Sequence, residues 1–158
     1  MSTTSSTPSD VYLGIGANLG RRREAIEEAV AAVDALPDTD VVATSDLYET
    51  RARFVEDQPD FLNACTHLET SLSPRRLLCS LLDIEQAMGR IRRLRHGPRV
   101  IDLDILFFAD LIIDEEGLTI PHPDLHNRRF VLEPLAEVAA ELRHPVLGKT
   151  VRQLWQEL

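Results

Sequence analysis

Lysine is almost absent from this 158-residue sequence: Lys149 is the only one, and arginine carries the rest of the positive charge. The 17 basic residues face 26 aspartates and glutamates, a formal charge of −9 at pH 7. That balance excludes broad, non-specific affinity for nucleic acid, which needs a basic surface to release counterions. Any anion site must be local, and guanidinium forks suit bidentate phosphate contacts. Cysteine is equally scarce: Cys65 and Cys79 sit in apolar runs with no metal-ligand spacing and are read as buried free thiols of a reducing compartment. No apolar run approaches the ~20 residues that cross a bilayer. The opening MSTTSSTPSD has neither the basic nor the apolar region of a signal peptide. The expected location is the cytoplasm, with neither membrane nor nucleic acid among the partners. There is also no Walker lysine, and the glycines of GIGANLG (Gly14, Gly16, Gly20) are one residue off the Rossmann spacing. Without a parallel βαβ unit and a ribose-binding acid, this stretch reads as a tight turn whose backbone lies close to a ligand.

What is present is ordinary for one globular domain, 44% hydrophobic and 27% charged. Residues 1–10 are expected to be a disordered leader and 11–158 a single domain. Val11–Asn18 has the pattern of a first strand, and a helix from Arg22 would bury Ile26, Ala29, Val30, Val33 and Leu36 at helical spacing. Strands are predicted over Val41–Thr50 and Phe61–Thr70, separated by the polar, proline-bearing RARFVEDQPD. Ser73-Pro74 is an N-cap and first-turn signature, opening a helix that carries Leu77, Leu78, Leu81, Ile84 or Glu85, and Met88 up to Gly89. An arginine-rich loop and the strand GPRVIDLDIL follow, then a loop, a helix near Val131–Ala139 and a short one from Thr150. The order βαββαβ predicts an α+β fold: a ferredoxin-like antiparallel core sheet with helices packed on one face, and a C-terminal helical extension.

Strands disfavour aspartate, yet GPRVIDLDIL holds two. Alternation puts Asp102 and Asp104 on one face, roughly 6 to 7 Å apart, with Ile101, Leu103 and Ile105 on the other, core side. Two carboxylates that close call for a cation. Just upstream, GRIRRLRHGPR concentrates Arg90, Arg92, Arg93, Arg95 and Arg99. Alone, an arginine run is usually a solvated loop and an Asp-x-Asp pair often a plain polar face. Side by side they supply carboxylates for Mg²⁺ and guanidinium groups for phosphate, the two halves of a nucleotide site. On the Phe61 strand, Phe61 and Asn63 share a face and could hold a flat heterocycle, one stacking and one reading its edge. On spacing alone the plainer assignment, Phe61 in the core and Asn63 at the surface, is favoured. In IPHPDLHNRRF, His122 and His126 are interrupted by prolines that forbid a regular helix carrying both. With Arg128, Arg129 and Phe130, they fit phosphate or ring contacts better than zinc.

These stretches together resemble the 6-hydroxymethyl-7,8-dihydropterin pyrophosphokinases of folate biosynthesis. The similarity rests on IGANLG, YET with DQPDFLNA, SLSP, the E-x-x-x-G-R-x-R run from Glu85, GPRVIDLDIL and IPHPDLHNRRFVLEPL, spanning Val11 to about Gly148. The resemblance implies an ATP-dependent diphosphotransferase that moves pyrophosphate from ATP to the pterin hydroxymethyl group and leaves AMP. It implies that Asp102 and Asp104 bind two Mg²⁺ ions, that Arg90, Arg92 and Arg99 act in catalysis from a loop closing on ATP, and that His122 and Arg128 contact the triphosphate. By the same resemblance Ile105 and Thr119 lie around adenine, and Glu85 supports the ATP side. Phe61 and Phe130 sandwich the pterin, whose edge Asn63, Thr50 and Gly16 contact. A monomer is expected. Residues 51–54 (Arg-Ala-Arg-Phe) replace the proline- and glycine-bearing loop of many members. That departure motivates an alternative: a non-catalytic Mg-nucleotide-binding module, or a paralogue of altered pterin specificity.

Overall fold

A computed structural model of the protein describes residues 7–17, 21–50, 61–89 and 101–158. The arginine loop, with Arg90, Arg92 and Arg99, lies outside these residues, as do positions 18–20 and the departure at 51–54. The elements, in order, are β1 (Ser9–Ala17), α1 (Arg22–Asp34), β2 (Thr39–Thr44), β3 (Tyr48–Thr50), β4 (Phe61–Thr70), α2 (Pro74–Ala87) and β5 (Asp102–Phe108). The hairpin strands β6 (Ile113–Glu115) and β7 (Leu118–Ile120), a 3₁₀ turn (Leu125–Asn127), α3 (Arg129–Ala139) and α4 (Val151–Gln156) follow. The main sheet runs β2-β4-β1-β5, every pair antiparallel, with β3 joined to the start of β4. Among the described residues no helix is long and apolar enough to cross a membrane.

Several features differ from the sequence expectation. β1 begins at Ser9, because Ser9 and Asp10 continue the ladder to Thr70 and Glu69; the disorder expected through residue 10 is corrected at 9–10. The single strand expected from Val41 to Thr50 is two. The register slips between Val41 and Ala43. Ser45 then enters the ladder through its side chain, its N–H donating to the Cys65 carbonyl (2.8 Å) while Cys65 N–H donates to Ser45 Oγ (2.9 Å). The loop expected after β5 contains the β6–β7 hairpin, turned by Gly117 at φ 76°, a left-handed conformation that glycine adopts without a Cβ clash. Cys79, expected buried, is exposed: Leu77, Leu81 and Ile84 take the core stripe of α2 and turn position 79 toward solvent.

Helices cover both faces of the sheet, not one. On the first face α1 (Ile26, Ala29, Val33) and α2 (Leu77, Leu81, Ile84) pack on Val11, Leu13, Ile15, Leu103 and Ile105. Leu77 and Leu81 are 0% and 1% exposed, and burial of each contributes roughly 2 kcal/mol. The start of α2 is set as its sequence suggests, with Pro74 in the first turn and Ser73 Oγ accepting from Arg76 N–H at 3.2 Å. On the second face Leu132 and Leu135 of α3 and Val151 and Leu154 of α4 cover Tyr12, Cys65, Leu106 and Phe107. The sheet's own side chains explain that second layer. On this face Tyr12, Cys65 and Phe107 present apolar surface to the helices, and the side chains change character toward Gly16 and Asp102.

Candidate functional site

At that other end, strand register lines up the residues singled out in the sequence. Gly16 of β1 sits opposite Asp102 of β5 on one side and Asn63 of β4 on the other, and Asn63 is opposite Tyr48 of β3. One step along, Gly14 is flanked by Asp104 and Cys65, and in the other direction Thr50 is opposite Phe61. Cross-strand partners share a face, so Asp102, Asp104, Gly16, Asn63 and Phe61 all belong to the second face, beyond the part that α3 and α4 close. Glycine in the middle strand makes this a floor. A Cβ at Gly16 would come within 3.2 Å of Asn63 Oδ1 and 3.8 Å of Phe61 Cδ1. Asn63, 6% exposed, and the Phe61 ring therefore lie against the backbone of β1. Neither the plain core assignment for Phe61 nor the surface one for Asn63 holds: the ring is half-buried and the amide buried.

The aspartates have different surroundings, Asp102 half-buried and Asp104 exposed, while Leu103 and Ile105 between and beyond them are buried on the opposite face. Ile105, expected near adenine, thus has its side chain in the core under α1 and α2, away from the aspartates. Glu85, expected to support the ATP side, is 5% exposed on α2. Its Oε2 accepts from Leu103 N–H at 2.8 Å. β5 is the last strand of the sheet, so a buried carboxylate fixes its outer edge at the residue between the two aspartates.

The segment after β7 forms a second wall. Following the cis Ile120–Pro121 bond, His122 N–H donates to the Leu106 carbonyl of β5 at 3.0 Å. His122 Nδ1 accepts from Asp124 N–H at 3.4 Å, which leaves Nε2 as the donor of a neutral ring. Burial lowers the His122 pKa; the Asp104 and Asp124 carboxylates oppose the shift, and the Arg128 guanidinium adds to it. One local field therefore joins His122, Asp104 and Arg128. Arg128 pairs with Asp124 at 3.7 Å and stands 5.8 Å from the centre of the Phe130 ring. Thr119 is exposed on β7, which packs beside β5. The structure so brings Asp102, Gly16 and Asn63 into one row, with Phe61 and the register position of Thr50 on its far side and Asp104, near His122 and Arg128, one pair back along β5. Cys65 is no nucleophile, since burial pushes its thiol pKa up.

Two residues that sequence reasoning missed join this site from the side. Tyr48 O–H donates to Glu137 Oε1 of α3 at 2.5 Å, and Asp46 N–H donates to the same carboxylate at 3.0 and 3.2 Å. The available signal is the interval from Phe130 to Glu137, seven residues on one helix and hence one face.

Residues 12–140 match the family model described as 7,8-dihydro-6-hydroxymethylpterin-pyrophosphokinase. The chain is 45% identical over 145 residues to the 2-amino-4-hydroxy-6-hydroxymethyldihydropteridine pyrophosphokinase of Haemophilus influenzae, covering 90% of this chain and 91% of the relative. To the enzyme of the same name from Pseudomonas aeruginosa it is 45% identical over 135 residues, 85% of this chain and 83% of the relative. Among solved structures, Plasmodium falciparum HPPK-DHPS wild type with SDX-DHP superposes with a TM-score of 0.78 at 18% identity, over 98% of this chain. This chain spans 45% of that one, and the likeness there is of fold.

Proposed function

The chain belongs to the 7,8-dihydro-6-hydroxymethylpterin-pyrophosphokinase family, and from that premise we propose that the two ends of its site take the two substrates of one reaction. The activity is transfer of pyrophosphate from ATP to the hydroxymethyl group of 6-hydroxymethyl-7,8-dihydropterin, in folate biosynthesis. The observation that carries the assignment is the row Asp102–Gly16–Asn63 across three adjacent strands. It sets a carboxylate and an amide on either side of an open glycine floor. In this assignment the pterin lies at the floor, its edge read by Asn63, Thr50 and the Gly16 backbone and its faces met by Phe61 and Phe130. The triphosphate lies toward Asp104, His122 and Arg128, with Thr119 on the adenine side and Arg90, Arg92 and Arg99 supplying further charge neutralisation.

Two aspartates on a strand held by Glu85 fit Mg²⁺, a hard cation that takes one or two carboxylates and completes its shell with water and phosphate oxygens. Among the described residues no cluster of three or more metal-ligating side chains exists, and Mg²⁺ needs none. Bound there, it would neutralise phosphate charge. The protein's own part is alignment. The hydroxymethyl oxygen bonds to the β-phosphorus and releases its proton to solvent as the bond from that phosphorus to the AMP oxygen breaks, so a barrier term here is orientation. Preformed cationic and hydrogen-bonding groups stabilise charge spread over the phosphate oxygens. Burial lowers the His122 pKa, and with Nδ1 accepting from Asp124 N–H its Nε2 is the ring nitrogen left to face a ligand. Ile105, its side chain in the core, offers the adenine side only its backbone.

The alternative of a non-catalytic nucleotide module is not favoured, because the relatives that match most of their own length are named as pyrophosphokinases. We further propose that the strand order is the split βαβ, ferredoxin-like arrangement, that residues 11–158 act as one domain, and that the enzyme works as a cytoplasmic monomer. Incubation with Mg-ATP and 6-hydroxymethyl-7,8-dihydropterin, with pterin-free and metal-free controls, tests the assignment. AMP and the pterin diphosphate should appear together and only with metal. ATP binding without AMP formation would overturn it.

A further inference from the structure

Glu137 and Tyr48 lie outside every role assigned above, yet they connect the two walls of the site. Glu137 is on α3, two turns after Phe130, about 10 Å along the helix at 1.5 Å per residue. Its carboxylate holds β3 through the Tyr48 hydroxyl at 2.5 Å and the segment leading into β3 through Asp46 N–H at 3.0 and 3.2 Å. Tyr48 is opposite Asn63, and Thr50, two residues on, is opposite Phe61. β3 is three residues long and is separated from β2 by the Ser45 interruption, so ladder bonds alone hold it weakly. The hydrogen bond from Tyr48 raises the cost of ionising that phenol, whose pKa is pushed up to about 12; the donor stays protonated throughout the physiological range.

We propose that Glu137 is a positioning residue for the pterin end: one helix, α3, with Pro134 in its interior, carries Phe130 and, through Glu137, holds the β3 strand that carries Thr50, so the gap between the two walls is set from a single element. This rests on the pterin assignment above. It predicts a selective effect, since β5, His122 and the triphosphate end do not depend on the tie.

The test compares Tyr48→Phe, Glu137→Gln and Glu137→Ala with the unaltered chain. It uses KM for 6-hydroxymethyl-7,8-dihydropterin and for ATP from AMP formation, equilibrium binding of the pterin by its own fluorescence, and thermal unfolding. Glu137→Ala should raise the pterin KM and Kd about tenfold, the loss of roughly one charged hydrogen bond, with the ATP KM within about twofold. Tyr48→Phe removes one hydroxyl and serves if Glu137→Ala is too unstable to assay; it should show a smaller shift of the same selectivity. Glu137→Gln keeps an acceptor and should recover part of the loss. Equal shifts for both substrates, or a fall in melting temperature with no change in pterin affinity, would overturn the proposal and leave a structural tie. If the unaltered chain makes no AMP, the activity assignment fails, and the fluorescence titration still decides this inference. Unchanged pterin Kd, or no pterin binding at all, refutes it.

Discussion

Replacing Gly16 by alanine separates ligand placement from folding more cleanly than any other single change. The added Cβ would meet Asn63 Oδ1 at 3.2 Å and Phe61 Cδ1 at 3.8 Å. The second is ordinary contact, whereas the first requires the amide to give by a few tenths of an ångström. Asn63 is 6% exposed and has little room to do so. Gly16 is not among the residues with positive φ, so alanine is not strained by its backbone conformation. By restricting the unfolded chain it would stabilise by about 0.4–1 kcal/mol, offsetting a repulsion of similar size. The melting temperature should therefore stay within ~3 °C of the parent. The pterin side should respond differently: displacing the amide weakens a hydrogen bond worth about 1 kcal/mol and fills part of the floor. The pterin KM should thus rise about tenfold or more, with the ATP KM within about twofold. Gly14→Ala is the matched comparison, since the nearest atoms to its Cβ would be those of the Leu106 side chain at 3.4–3.6 Å, ordinary van der Waals contact. AMP formation at varied pterin and varied ATP, with calorimetric melting, reads all of this. A Gly16→Ala enzyme with unchanged pterin KM, or one losing affinity for both substrates equally, would refute the floor.

Asp104→Ala should abolish metal-dependent AMP formation while the melting temperature moves by less than ~3 °C, because the side chain is exposed; normal turnover would remove Asp104 from the metal site. Glu85→Ala should destabilise by about 2 kcal/mol through loss of the acceptor for Leu103 N–H, and Glu85→Gln by about 1 or less, as measured by urea unfolding. A pH effect is expected at His144, which is 5% exposed with Nδ1 accepting from Val146 and Leu147 N–H at 3.1 Å. Burial lowers its pKa from 6.5, with a smaller push from His126, so the unfolded chain takes up the proton first as pH falls. Its contribution is then complete above about pH 6.5 and is lost as the pH drops through the lower folded value. His144→Asn, which keeps an acceptor for those amides, should flatten this part of a stability–pH curve, and an unchanged slope would contradict it.

Sequence pattern reaches some of this architecture and stops short of the rest for identifiable reasons. The aspartate strand is legible because Asp102 and Asp104 alternate with Ile101, Leu103 and Ile105, a period that only an extended chain places on opposite faces. The start of α2 is legible because Ser73-Pro74 is a local signal. The division of Val41–Thr50 into two strands is not, since it depends on Ser45 Oγ replacing a backbone acceptor for Cys65 N–H, a partner 20 residues away. Three-residue strands such as β6 and β7 are too short for alternation to register. Residues expected at the site divide similarly. Asn63 and Phe61 are found by face-sharing, but a strand pattern cannot say which sheet face is open, so the core assignment looked preferable. Ile105 was carried by likeness alone, and the same alternation that finds Asp104 puts its side chain in the core. The Glu137 tie joins residues 89 and 91 apart in the chain, which no local pattern contains.

The site exists because one sheet face changes purpose along its length. On β1 that face reads Tyr12, Gly14, Gly16, so side-chain volume disappears step by step toward the floor. Next to Tyr12, Cys65 and Phe107 are apolar, and α3 and α4 close over them, while His67 opposite Tyr12 stacks on its ring. The β1–β5 register shifts between Tyr12 and Leu13, beside Leu106, whose side chain is buried and whose carbonyl takes the His122 N–H. That irregularity marks the boundary. Beyond it Phe107 completes the second core; on its near side Asp104 and Asp102 face outward, and the His122 wall is pinned at the junction. A core packed to native density is stiff, and it ends one step before the reacting end. Substrates bound as proposed would be aligned on a backbone floor that cannot rotate away, by side chains attached to strands held from the opposite face by Glu85 and from the side by Glu137. For a reaction that asks the protein mainly for alignment, this geometry puts rigidity where the chemistry uses it.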